Sequence, residues 1–220
     1  FLNSIGGYTY SVDTYSLAAG AVAVPYVLGS FRDLAYASTP WRVIAEHTDL
    51  IVAFGGLAAK NGQIAQGGVG QHEQRIGMRE AAAAGVEVVN VSPVRADAID
   101  EFGAEWLAPR PSTDAAVMLG LAHTLLTEGL HDRAFLDRYT AGFDQFAAYL
   151  TGASDGIVKD ADWAAAISDL PAETIRGLAR RMAGRRTLVT ASWSLTRQDH
   201  GEQPFWGAIA LAAMLGQIGL

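Results

Sequence analysis

No cysteine occurs among the 220 residues, so disulfides, thiolate nucleophiles, zinc ribbons and iron-sulfur ligation are excluded from this stretch. Acids outnumber bases, 23 against 16, and a formal charge of -7 leaves no general cationic surplus to neutralise a nucleic-acid backbone or an anionic membrane face. The aromatic residues are dispersed, which gives nucleic-acid stacking little support. The longest apolar run, Phe205 to Leu220, falls short of the roughly 18 to 20 residues that span a bilayer and reads as a core helix covered on all sides. His47, His72, His123, His131 and His200 show no metal-pair spacing, and His123, on an apolar helix, reads as a satisfied core histidine. Neither the three-glycine dinucleotide fingerprint nor the Gly-Lys-Ser/Thr of a P-loop is present. A nucleophile elbow is also missing, because Ser16 lacks glycines two residues to either side.

What is present is a chain half hydrophobic, long enough to bury a sizeable core. It starts at Phe1 without a methionine and stops inside an apolar run, so it reads as a piece of a larger protein. "DLIVAFGG" (49–56), "VEVVNVSP" (86–93), "EWLAP" (105–109) and "RTLVTASW" (186–193) read as short buried strands. "QHEQRIGMREAAAAG" reads as a helix with Ile76 and Met78 on its covered side and Gly85 closing it. A second helix follows Ser112, Thr113 or Asp114, any of which is able to cap it. Residues 131–184 read as short amphipathic helices, of which "LPAETIRGLA" carries proline and acid at its start. Alternating strands and helices predict an α/β fold with a doubly wound parallel sheet, dinucleotide-binding-like, carrying an added helical segment.

In such a sheet the loops at the carboxyl ends of the strands bind ligands, because helix N-termini and free backbone N–H groups converge there. Four loops fall at that edge: the glycine-rich "GGLAAKNGQIAQGGVG", "SPVR", "PRPSTD" and "SWSLTRQDHGEQ". Arg95, Arg110 and Arg197 suit a diphosphate, and Asp114 suits a ribose hydroxyl or the N–H face of guanine. These residues point to a nucleotide-type cofactor, and a nicotinamide-dependent dehydrogenase or a non-catalytic cofactor-binding module remain alternatives. Ser16, before a run of small apolar residues, reads on its own as a helix N-cap.

Taken in order, "NSIGGYTYSVDTYS", "EHTDLIVAFGG", "AKNGQ", "SPVR", "PRPSTDAAVMLGLAHTLL", "GFDQFAAYLTGASDGIVKDADWAA", "LPAETIRGLAR" and "WSLTRQDHGEQPFW" with "LAAMLGQIGL" resemble the molybdenum enzymes of the dimethyl sulfoxide reductase family. The branch resembled is that of dimethyl sulfoxide, trimethylamine N-oxide and biotin sulfoxide reductases. The resemblance covers essentially the whole chain. It implies a fragment of a larger multidomain catalytic subunit, in which residues 1–40 belong to a domain continued upstream. Residues 41–220 would form the α/β molybdopterin guanine dinucleotide-binding domain, with a helical insertion at about 131–184.

The resemblance also implies the chemistry. Molybdenum would be held by two molybdopterin guanine dinucleotides and one side chain, the serine of a Tyr-Ser pair, which maps onto Tyr15 and Ser16. Soft sulfurs would come from the cofactor and a hard oxygen from Ser16. Oxygen would pass from an S-oxide or N-oxide to Mo(IV), leaving a sulfide or amine. Lys60 and Asn61 match an element near a pterin and its phosphates, and Ser92-Pro93 stands where relatives usually carry Asn-Pro or Asp-Pro beside a guanosine ribose. Arg95 belongs to that same loop. Asp114 matches a guanine-binding aspartate, and Ser112 stands where relatives often have glutamine. Trp193, Ser194, Arg197 and Gln203 match a late cofactor-contact block, whereas "GQH" ending at His72 replaces the usual Pro-Asp-His. Ala18, Ala19 and Gly20 are expected to leave room for the cofactor. The electron donor implied is a c-type cytochrome or a soluble reductant, and the compartment is the periplasm, or the cytoplasm for a biotin sulfoxide reductase type.

Overall fold

Four runs of β-branched and apolar residues form the strands of one parallel sheet in a computed structural model, which describes residues 1–10, 13–14, 16–32, 39–62 and 73–219. The strands are β1 (Leu50–Phe54), β2 (Glu87–Val91), β3 (Glu105–Leu107) and β4 (Thr187–Ala191), in the order β3-β2-β1-β4. Leu50 pairs with Glu87 on one side and with Thr187 on the other, so β1 is fully flanked and all five of its residues are buried. A strand covered on both faces is a continuous apolar run, as the sequence shows.

Side chains still alternate between the faces. Leu50, Val52 and Phe54 enter the larger core, while Ile51 and Ala53 enter the smaller one. The smaller core is covered by α2 (Trp41–His47) and α3 (Glu73–Ala83) through Ile44 and Ala81. The larger face carries α4 (Asp114–Thr127), α7 (Ala161–Ser168), α8 (Ala172–Ala183) and α9 (Gln203–Met214), with α5 (Arg133–Tyr139) and α6 (Phe143–Leu150) beside them. Helix α1 (Ala18–Leu28) packs on α9.

The helix starts follow local chemistry. Asp132 Oδ1 accepts from the Phe135 N–H at 2.8 Å and Asp160 Oδ1 from the Trp163 N–H at 2.8 Å, opening α5 and α7. In α8, Pro171 precedes the first turn, Glu173 lies within it, and Arg180 and Arg181 occupy the last turn, matching the peptide dipole at both ends.

Three expectations are corrected. Ile76 is 58% exposed, whereas Met78 is fully buried, so the covered stripe of α3 runs through Gly77, Met78 and Ala81. The last helix is not covered on all sides, since Trp206 is 51% exposed. At α4 the N-cap is Thr113, but no side chain caps the helix, because the Thr113 hydroxyl donates backward to Arg110 O at 2.6 Å. The helix α2 was not anticipated, because seven residues with one buried position give too little periodicity.

Candidate functional site

Strands β1, β2 and β3 are laid to one side in turn, and the chain then returns to place β4 against the free side of β1. The direction of winding therefore reverses between β1 and β4, and at such a switch the loops part and leave a crevice. A cavity of about 160 Å³ opens there. Each strand supplies part of its wall: Gly55 after β1, Ser92, Pro93 and Asp97 after β2, Pro109, Ser112 and Asp114 after β3, and Ser194, Arg197 and Gln198 after β4. The volume suits one end of a longer molecule, being smaller than the roughly 300–1,000 Å³ of a whole small-molecule pocket.

Asp114 is the most perturbed acid on this wall. It is 5% exposed at the first turn of α4, and burial pushes its carboxyl up from 3.8 to about 6, with a backbone N–H bond of its own residue opposing part of that rise. A buried carboxylate is costly unless a donor reaches it, and a ligand edge with N–H groups is such a donor. Arg197, also on the wall, is exposed and forms no ion pair among the described residues, which leaves its guanidinium free for an anion. Ser112 adopts φ +66°, which turns the β3 loop into the start of α4.

The β2 loop is held by its own side chains. Ser92 Oγ donates to Asp97 Oδ2 at 3.0 Å and accepts from the Val94 N–H at 3.1 Å. Asn90, 1% exposed, donates through Nδ2 to Val94 O and Arg95 O, while its Oδ1 has no partner. Lys60 Nζ lies 3.6 Å from Asp97 Oδ1.

Of the residues singled out by sequence, the structure brings Ser92, Pro93, Ser112, Asp114, Ser194 and Arg197 to the cavity. Lys60 and Asn61 are exposed on the β1 loop, off the wall, although Lys60 reaches it through Asp97. Arg95 lies over the Trp106 ring at 6.0 Å. Arg110 is off the cavity wall, and its guanidinium is paired with both oxygens of Asp169 in a half-exposed ion pair. Gln203 donates to Glu202 Oε1 at 3.2 Å at the start of α9. Trp193 faces away into the core, where it stacks on Phe205.

Ser16 is exposed and off the cavity wall, with its N–H donating to Thr14 Oγ1 at 3.2 Å. It is not the N-cap of α1: that position is Leu17, and no side chain caps the helix. Gly20 is buried, and a Cβ on it would meet the Trp193 ring at 3.4 Å and that of Phe205 at 3.6 Å, which is ordinary contact. Tyr15, His72 and residues 63–70 of the glycine-rich loop lie outside the described residues. His123 is half-buried, and desolvation lowers its pKa.

Sequence reasoning missed Asp97, and it named Gly55 and Gln198 only as members of their loops. Asp97 was overlooked because it lies five residues beyond Ser92, past the turn where a strand-end motif is sought, and only the folded loop brings it back.

A parallel sheet with this cavity at its switch point places the chain among the open α/β folds that hold their ligands at the carboxyl edge. Over residues 1–220 it matches the family model described as molybdopterin oxidoreductase, and it belongs to that family. It is similar to the biotin sulfoxide reductase of Cereibacter sphaeroides, with 46% identity over 218 residues that cover 99% of this chain and 29% of the relative. The dimethyl sulfoxide/trimethylamine N-oxide reductase of the same organism is 46% identical over 219 residues, covering 100% of this chain and 26% of that protein. The trimethylamine-N-oxide reductase of Pasteurella multocida is 41% identical over 227 residues, covering 100% and 27%. The chain thus spans little more than a quarter of the length of these relatives. The solved structure of acetylene hydratase from Pelobacter acetylenicus shares the fold, with a TM-score of 0.69 at 17% identity over 99% of this chain and 27% of that one.

Proposed function

We propose that this chain is the section of a molybdenum-dependent S-oxide or N-oxide reductase that holds the guanosine end of a molybdopterin guanine dinucleotide at the carboxyl edge of its sheet. The observation that carries the reading is the convergence of four strand-end loops on one cavity whose wall contains the buried carboxylate of Asp114. The names of the relatives support the substrate class.

The residues fit a nucleotide end. Asp114 accepts from the two N–H groups that guanine presents on one edge, and that pairing relieves the cost of burying its charge. Arg197 neutralises a phosphate at the open side of the cavity. When bound, the molybdenum group would supply the oxygen-transfer chemistry, and Ser16, exposed and away from the guanosine cavity, would hold the metal as a hard oxygen ligand. A second dinucleotide and the substrate pocket fall to parts of the enzyme beyond this sheet. Electrons come from an outside donor, a c-type cytochrome in the periplasm or a soluble reductant in the cytoplasm.

The test uses the full-length protein with a reduced viologen dye as electron source. Dye oxidation with dimethyl sulfoxide, trimethylamine N-oxide or biotin sulfoxide is expected, together with bound molybdenum. Ser16→Ala should keep its pterin and lose turnover. Full activity in that variant would remove Ser16 from the metal, and the absence of both molybdenum and tungsten in the wild type would end the reading.

A further inference from the structure

Three observations meet at the end of β2. First, the Ser92 hydroxyl has one proton, and that proton is already given to Asp97 Oδ2 at 3.0 Å, while the Val94 N–H occupies one of its lone pairs. Ser92 itself is 1% exposed. It therefore has no proton left to donate to a ligand.

Second, Asp97 is built into the wall rather than hanging from a loose loop. Its carbonyl accepts from the Leu57 N–H at 2.6 Å, its N–H donates to Val94 O at 3.1 Å, and its carboxylate takes the Ser92 proton. Its Cβ rests so close to the β1 loop that a Cβ on Gly56 would lie 2.4 Å from it. The side chain is 17% exposed, and Asp97 is part of the cavity wall.

Third, the nearest cation leaves it spare capacity. Lys60 stands 3.6 Å from Oδ1 and is itself 74% exposed, so the pair is loose and solvated. An ionised carboxylate has about four acceptor positions, and here one is filled by Ser92.

We infer that Asp97 is the acceptor for the ribose hydroxyls of the bound nucleotide, because its side chain keeps 17% exposure on the cavity wall whereas Ser92, 1% exposed, lies behind it and is spent on holding it. A carboxylate accepts from both hydroxyls of a cis-diol at once, and an acid beyond the second strand of a doubly wound sheet is geometrically suited to do so. Ser92 is then a positioning residue acting through Asp97, and Lys60 limits the local negative charge. The inference rests on the reading of the cavity as a nucleotide site.

The experiment titrates the full-length chain, freed of its cofactor, with GDP, ADP and 2′-deoxy-GDP in a calorimeter. Wild type should prefer GDP to 2′-deoxy-GDP by about tenfold or more, the value of one charge-assisted hydrogen bond. In Asp97→Ala that ratio should fall close to one while the preference for GDP over ADP stays. Asp97→Asn, which keeps the size of the side chain and the bond from Ser92, guards against misfolding and should give an intermediate ratio. Retention of the wild-type ratio in both variants would overturn the assignment. A wild type that binds GDP and ADP equally but still loses ribose discrimination in Asp97→Ala would leave Asp97 in its role and refute the guanine reading instead. A wild type that binds none of the three nucleotides would overturn both.

Discussion

Trp193 stacks on Phe205, with ring centroids 5.4 Å apart and planes inclined by 23°. Phe31 also approaches Trp193, with ring centroids 5.5 Å apart, and Gly20 of α1 packs against Trp193 and Phe205. The end of β4, the start of α9 and the helix that follows Ser16 are thus joined by one aromatic cluster.

Trp193→Ala should therefore loosen α1 from the sheet. Loss of a large aromatic from a packed site costs about 3 kcal/mol. The expected outcome is a lower thermal midpoint and earlier proteolytic cleavage between residues 16 and 28, with Trp193→Phe restoring most of the loss. Unchanged cleavage in the alanine variant would show that α1 is held by other contacts.

Asp114 gives a pH dependence whose sign is opposite to that of an ion-paired acid. Its carboxyl is near 3.8 when unfolded and is raised to about 6 by burial in the fold, so the folded state binds more protons between those values. Without ligand, stability should be greatest below about pH 4 as far as this group is concerned and should fall as pH rises toward 6, by up to about 3 kcal/mol. Asp114→Asn should remove that slope and leave the empty protein more stable at pH 7. Nucleotide affinity should run the other way, weakening as pH drops from 7 to 5, because a protonated carboxyl accepts fewer hydrogen bonds. Denaturation midpoints and GDP titrations across pH 4–8 check both signs.

Gly56 has φ +82°, and an added Cβ would stand 2.4 Å from Asp97 Cβ and 2.9 Å from its carbonyl oxygen. Gly56→Ala is strained in backbone and in space, and a cost of about 2 kcal/mol or more is expected. The variant should lose bound nucleotide before it loses its fold, since the displacement falls on the cavity wall. Full cofactor content with an unchanged melting point would contradict this.

Arg197 is the exposed cation on the same wall. Arg197→Ala should lower affinity for GDP by about tenfold while leaving that for guanosine nearly unaltered, because only the phosphates are lost as partners. Salt should weaken GDP binding to the wild type more than to the variant.

The sheet was legible because its strands are short apolar runs, each ended by glycine, proline or serine, although only β1 and most of β2 are buried as the runs suggest, while β3 is exposed at Glu105 and Trp106 and β4 is half-buried beyond Thr187. The convergence of the four loops followed from parallel topology alone. Their fine division did not. Arg110 looks equivalent to Arg197 in sequence, yet Asp169, distant along the chain, claims it. Ile76 and Met78 are both large and apolar, but only one faces the sheet. Trp193 stands in the same strand-end loop as Arg197, yet its indole stacks on Phe205 against the core. Each of these outcomes was decided by a partner remote in sequence, and periodicity carries no record of such partners.

The most direct measurement is acid hydrolysis of the purified full-length protein, with the released nucleotide identified by chromatography and molybdenum counted by mass spectrometry in the same sample. Two GMP per molybdenum are expected, falling sharply in Asp114→Ala. Release of no guanine nucleotide from a wild-type protein that carries its metal would contradict the guanosine site at the carboxyl edge of this sheet.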